Sequence, residues 1–128
     1  MRRQTTDEPL RTRVGHCKRD DTDIYVGRGT DGRSMIDTAI GTRGWLGNPH
    51  RLDDGYTRAE SIALFREDFE ARLRGDDEFR AAVRNLAGKT LGCWCRTLAD
   101  DEPACHADVI AEHAHRLAVT FSPGENDE

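Results

Sequence analysis

Residues 91–115 read LGCWCRTLADDEPACHADVIAEHAH, and they gather three of the four cysteines and three of the five histidines of the chain. Thr90 to Cys95 is an apolar run of strand length, so it is expected to form a buried central strand. Side chains two apart on a strand share a face, which would aim Cys93 and Cys95 at one spot. Pro103 then opens a helical pattern from Ala104 to about Leu117, with Val109, Ile110, Ala114 and Leu117 forming a buried stripe. The first turn of that helix carries Cys105 and His106, and a helix N-terminus favours thiolates. A strand end facing a helix start is where small α/β domains hold metals, phosphates and nucleophiles. Neighbours on a helix start diverge, so one of Cys105 and His106 is expected to face Cys93 and Cys95.

Outward from this stretch, the preceding chain supplies the packing. Thr57 and Glu60 form a capping box, and Ile62, Phe65, Phe69 and Leu73 follow at helical spacing, so residues 58–73 form an amphipathic helix that Gly75 stops. A second helix runs from about Asp77 to Leu86, with Gly88 as its C-terminal cap. Residues 13–18 and 23–27 read as two short strands separated by turn residues. His16 and Cys17 then face opposite sides of the first strand. Residues 118–121 read either as an edge strand or as the end of the last helix. The expectation is a single α/β domain over residues 13–121, with a sheet of three to four strands packed by three helices. Residues 1–12 and 122–128 read as flexible ends.

Residues 30–56 form a long functional loop rich in Gly, Asp, Arg and Thr. Within it, Trp45 either anchors the loop to the core or stacks on a base. Asn48, extended because Pro49 follows it, presents its amide for hydrogen bonding. Gly27-Arg28-Gly29 lets backbone amides and a guanidinium approach an anion together, or is an ordinary turn.

Composition narrows the functions. A chain of 128 residues supports one core. No stretch has the roughly 20 apolar residues of a membrane span, and the first ten residues lack the apolar region of a signal peptide, so a cytoplasmic location is expected. Cysteines in that setting are metal ligands, catalytic thiols or buried small hydrophobes rather than disulfides. The net charge is −5, which argues against strong sequence-independent nucleic-acid binding. All but two of the 19 basic residues are Arg, the exceptions being Lys18 and Lys89. An Asp-rich, Lys-poor chain suggests a high-salt cytoplasm or a GC-rich genome.

At the cysteines, zinc is the expected cofactor. Cys93, Cys95 and Cys105 would be ligands, with Cys17, His106, His16 or a water as the fourth. Without metal, Cys105 would be the nucleophile and His106 or His16 its base. His113 reads as a packed, hydrogen-bonded residue and His115 as exposed.

Taken together, several segments resemble one family. They are His16-Cys17-Lys18, Tyr25-Val26-Gly27-Arg28, the Trp45 to Pro49 segment, Thr57-Arg58 at a helix start, Gly88-Lys89, Leu91 to Cys95, and Cys105-His106. The chain is similar to a family of uncharacterised small prokaryotic and viral proteins, the domain of unknown function 4326, over roughly residues 13–117. In this chain Leu46 splits the family's Trp-Gly-Asn-Pro run, His50 stands where Phe is usual, Ala107 replaces the usual Gly, and the loop before Trp45 is longer. The resemblance implies a viral setting and therefore a nucleotide or modified purine-like nucleobase as substrate, with 7-deazaguanine DNA modification as one possibility. In a virus the location would be the host cytoplasm.

The first functional expectation is thus a small zinc-binding or reactive-thiol enzyme. Arg28, Gly29 and Arg58 would hold an anionic group, Trp45 would close the pocket, and Asn48 would read polar edges. The second is a non-catalytic, zinc-stabilised module for a protein or nucleic-acid partner.

Overall fold

The computed structural model describes residues 12–51, 54–94 and 105–120. At its centre, β3 (Thr90–Cys93) lies between β1 (Arg13–His16) and β2 (Ile24–Tyr25), and both pair with it in parallel. Val14 and Ile24 both stand level with Leu91, and Gly15 and Tyr25 both stand level with Gly92. Consecutive parallel strands ordinarily need a crossover of a dozen or more residues. Here residues 17–23 suffice, because the link runs across the face of β3 at a residue without a side chain. A Cβ built on Gly92 would lie 2.6 Å from Thr22 Oγ1 and 3.2 Å from the Cα of Cys17. Both ends of the link are tied to β3, with Cys17 N–H donating to the Cys93 carbonyl and Asp23 N–H to the Thr90 carbonyl, each at 2.8 Å.

The strands are shorter than their apolar runs suggest. β1 stops at His16, whose N–H donates to the Asp20 carboxylate at 2.8 Å while Asp20 N–H donates back to the His16 carbonyl at 3.0 Å. β3 stops at Cys93, and Trp94 already sits in a bend. The two-residue alternation that would align Cys93 with Cys95 therefore ends before Cys95, which lies outside the described residues.

Three helices complete the domain. α1 (Arg58–Gly75) starts at the capping box, with Thr57 Oγ1 accepting from Glu60 N–H and Glu60 Oε1 accepting from Thr57 N–H. Gly75 is its last residue, but Asp76 performs the stop: its backbone is extended, and its carboxylate accepts from Phe79 N–H to cap α2 (Asp77–Arg84). One side chain thus separates two helices. α3 (His106–Thr120) packs on β1 and β3 and against both other helices. Residues 118–120 belong to α3 and form no edge strand.

Phe65 and Phe69 of α1 stack at 5.4 Å, and Phe79 meets both Phe69 and Trp45 edge to face. Each of these three phenylalanines is fully buried, worth about 1.5–3 kcal/mol apiece in removal from water. The long loop is part of this core. Met35, Trp45 and the inserted Leu46 are all buried, Met35 N–H donates to the Gly47 carbonyl at 3.0 Å, and Arg72 Nη1 donates to the Met35 carbonyl at 2.8 Å. Gly44, at φ +101°, presses so closely on Gly29 that a Cβ would approach its backbone N to 2.6 Å. Among the described residues, no helix is long and apolar enough to cross a membrane.

Candidate functional site

The carboxyl ends of β2 and β3, the start of α3 and the first turns of α1 enclose a cavity of about 540 Å³. This is where open α/β sheets place ligands. Cys93, Cys105 and His106 line it together with Trp94 and Tyr25. Three arginines, Arg28, Arg51 and Arg58, also line it, and no Asp or Glu does among the described residues. Three arginines thus meet at one cavity in a chain of net charge −5.

Cys105 immediately precedes α3 and caps it. Its N–H donates to Asp108 Oδ2 at 3.0 Å, and its sulfur accepts the Ala107 N–H at 3.5 Å. This is a capping box with a thiol in place of the usual hydroxyl. Because Cys105 lies outside the helix, its side chain curls back over the first turn and does not diverge from His106. The sulfur comes to 3.7 Å from His106 Nδ1.

The tautomer of His106 follows from its other contact. Nε2 lies 2.7 Å from the Val26 carbonyl oxygen, which can only accept, so Nε2 carries the hydrogen. Burial holds the His106 pKa below its usual value; the Arg28 charge acts in the same direction, and the hydrogen bond to Val26 opposes it. The imidazole is therefore neutral, and Nδ1 offers its lone pair to the Cys105 thiol. Edge-on packing against Phe65 at 5.0 Å fixes the ring.

The arginine wall is held by a polar lattice at Asn48. Arg28 Nε donates to the Asn48 carbonyl at 2.6 Å. Asn48 Nδ2 donates to Ser61 Oγ at 2.8 Å, Asn48 Oδ1 accepts from His50 N–H at 2.8 Å, and Ser61 Oγ donates to the His50 carbonyl at 2.5 Å. Asn48 lines the cavity, and the contacts of its amide with Ser61 and His50 join the β2 end to α1. Arg58, the first residue of α1, faces the same space.

Of the residues singled out by sequence, Cys93, Cys105, His106, Arg28, Asn48 and Arg58 meet at this cavity. Trp45 is buried against Phe79 and anchors the loop. Gly29 is not among the lining residues, whereas Gly27 is. His16 sits beside Trp94, with Nδ1 accepting from Lys18 N–H at 3.0 Å. Cys17 is half-buried, and its pKa is raised by burial and by the neighbouring Cys93. Among the described residues, no three Cys, His, Asp or Glu side chains converge as a metal site. His113 is packed against Phe69, with Nδ1 at 2.9 Å from the Val109 carbonyl and Nε2 at 3.0 Å from Glu70. Tyr25, Arg51 and Trp94 are wall residues that sequence reasoning passed over. Trp94 follows β3 in a bend and lines the cavity alongside Cys93, and its place between two cysteines in the sequence was the available signal for it.

Parallel strands with a cavity at their carboxyl ends and a helix starting across it place the protein among small single-domain α/β proteins. Within that class the chain belongs to the family described as domain of unknown function DUF4326, which matches residues 11–116. It is similar to the "Uncharacterized 12.4 kDa protein in nrdA-td intergenic region" of Enterobacteria phage T4. The two are 30% identical over 105 residues, spanning 82% of this chain and 79% of the phage protein. No solved structure matches the chain.

Proposed function

We propose that this protein is a thiol-dependent enzyme acting on a nucleotide or a purine-like base that carries an anionic group. The observation that carries the reading is the contact of Cys105 with a neutral His106 imidazole at a cavity lined by Arg28, Arg51 and Arg58. The arginines supply an anion seat suited to phosphate. The pair supplies a nucleophile and its base in direct contact.

Cys105 and His106 can together perform a redox-neutral addition across a C=N bond of a heteroaromatic base. The sulfur forms a bond to the ring carbon and the thiol proton passes to His106 Nδ1. The π electron pair moves onto the ring nitrogen, which takes that proton back. The Val26 carbonyl keeps Nε2 protonated throughout and so keeps Nδ1 facing the sulfur. Zinc chemistry at the same place would need Cys95, which lies outside the described residues, beside Cys93 and Cys105. The thiol's contacts with His106 and Ala107 support the metal-free form.

Alkylation by a matched anionic and neutral reagent tests the reading. Two unit charges about 8 Å apart at an effective dielectric near 40 interact by about 1 kcal/mol, roughly fivefold in rate. Iodoacetate is therefore expected to gain on iodoacetamide at Cys105 by at least that factor over a free thiol, and Arg58→Ala should reduce the gain. A Cys105 that favours neither reagent, or that does not react at all, would overturn the proposal.

A further inference from the structure

Trp94 is the largest apolar side chain that the fold leaves open: 54% of it is exposed, at the mouth of the cavity. It is also held still. Its indole N–H donates to the Tyr25 hydroxyl at 3.1 Å, and that hydroxyl spends its own hydrogen on the Arg28 carbonyl at 2.9 Å. The His16 ring meets the indole edge-on at 5.6 Å, and the Arg43 guanidinium lies over the Tyr25 ring at 4.0 Å. Gly27 leaves room for this arrangement, because a Cβ there would collide with the Tyr25 hydroxyl. The fold thus spends two hydrogen bonds, a ring contact and a cation–π contact on orienting the indole, and Lys18 Nζ lies over its ring at 5.9 Å.

A fixed, exposed indole beside an arginine-lined cavity has the chemistry of a stacking surface for a flat heteroaromatic ring. Base–aromatic stacking of this kind tolerates any base. We infer that Trp94 is the platform on which the nucleobase of the substrate stacks, while Arg28 and Arg58 hold the phosphate of the same nucleotide. The inference rests on the nucleotide reading of the site and adds an orientation to it. The Tyr25 hydroxyl links the two halves, since it joins the indole to the main chain of Arg28.

Tryptophan emission reports this directly, because the other indole, Trp45, is buried against Phe79. The probes are the four ribonucleoside 5′-monophosphates and inorganic phosphate, titrated by calorimetry into the full chain and into Trp94→Leu and Trp94→Phe, with emission as a second readout in the wild type. Nucleoside monophosphates are expected to quench the emission of the wild-type chain. Trp94→Leu should weaken their binding by about tenfold or more, while Trp94→Phe, which still stacks, loses much less. Inorganic phosphate should bind all three proteins equally. Nucleotides that bind Trp94→Leu as tightly as wild type would overturn the platform and leave the nucleotide reading standing. Nucleotides that bind no better than inorganic phosphate would overturn both, leaving only an anion seat. Unchanged unfolding midpoints in the two variants keep these outcomes free of a folding defect.

Discussion

Replacing Gly92 with Ala tests how the sheet is closed. The added methyl would lie 2.6 Å from Thr22 Oγ1 and 3.0 Å from Thr22 Cβ, whereas ordinary contact begins at 3.4 Å. Rotation of Thr22 can move its Oγ1 aside, but its Cβ at 3.0 Å and the Cys17 Cα at 3.2 Å still fall short, so the 17–23 link must also rise by about 0.4 Å, the difference between 3.4 and 3.0 Å. The link cannot rise freely, because Cys17 N–H and Asp23 N–H each hold a β3 carbonyl at 2.8 Å. Overpacking a tight site costs about 1–3 kcal/mol, and weakening one of those hydrogen bonds adds about 1 kcal/mol. Gly92→Ala is therefore expected to lose about 2–4 kcal/mol in urea unfolding, a large share of the roughly 5–15 kcal/mol of a typical domain. Thr22→Gly removes both clashing atoms and leaves the Cys17 Cα at 3.2 Å. The double variant should then recover part of the loss, as a coupling of about 1–2 kcal/mol in a double-mutant cycle. A Gly92→Ala variant as stable as wild type, or strictly additive effects, would refute the idea that the link crosses the sheet at Gly92.

Two further predictions concern the site. Asn48→Ala strands the His50 N–H and removes the Asn48 donor to Ser61, so urea unfolding should show a loss of about 2–3 kcal/mol, and an unchanged midpoint would mean that the lattice does not hold the arginine wall. The folded-state pKa of His106 lies below 6.5, chiefly because of burial. The unfolded chain therefore binds more protons between that depressed value and 6.5, and stability is full above pH 6.5 and falls as the pH drops through the window. His106→Gln should flatten that part of the curve of unfolding free energy against pH, and an unaltered slope would show that another group carries it.

Local signals in the sequence were legible where one side chain decides a local geometry. Thr57 and Glu60 announce the start of α1, and the spacing of Phe65, Phe69 and Leu73 announces its buried face. The meeting of Cys93 and Cys105 at one cavity was legible too, because Cys93 ends a buried strand and Cys105 immediately precedes a helix. The site's long-range geometry was not. Nothing near Gly92 in sequence says that residue 22 crosses it, and Trp45 alone left open whether it anchors its loop to the core or stacks on a base. Cys105 and His106 looked divergent because helical geometry was applied to a residue that precedes the helix. The lattice around Asn48 was not legible because Ser61 becomes its neighbour only once α1 packs against the loop.

The central claim is that a nucleotide sits where the Cys105 thiol and the three arginines converge. Site-resolved alkylation with iodoacetamide, run with and without a saturating nucleoside monophosphate, tests it most directly. The account predicts that the nucleotide shields Cys105 and leaves the rate at Cys17 unchanged. Equal rates at Cys105 with and without nucleotide would contradict it.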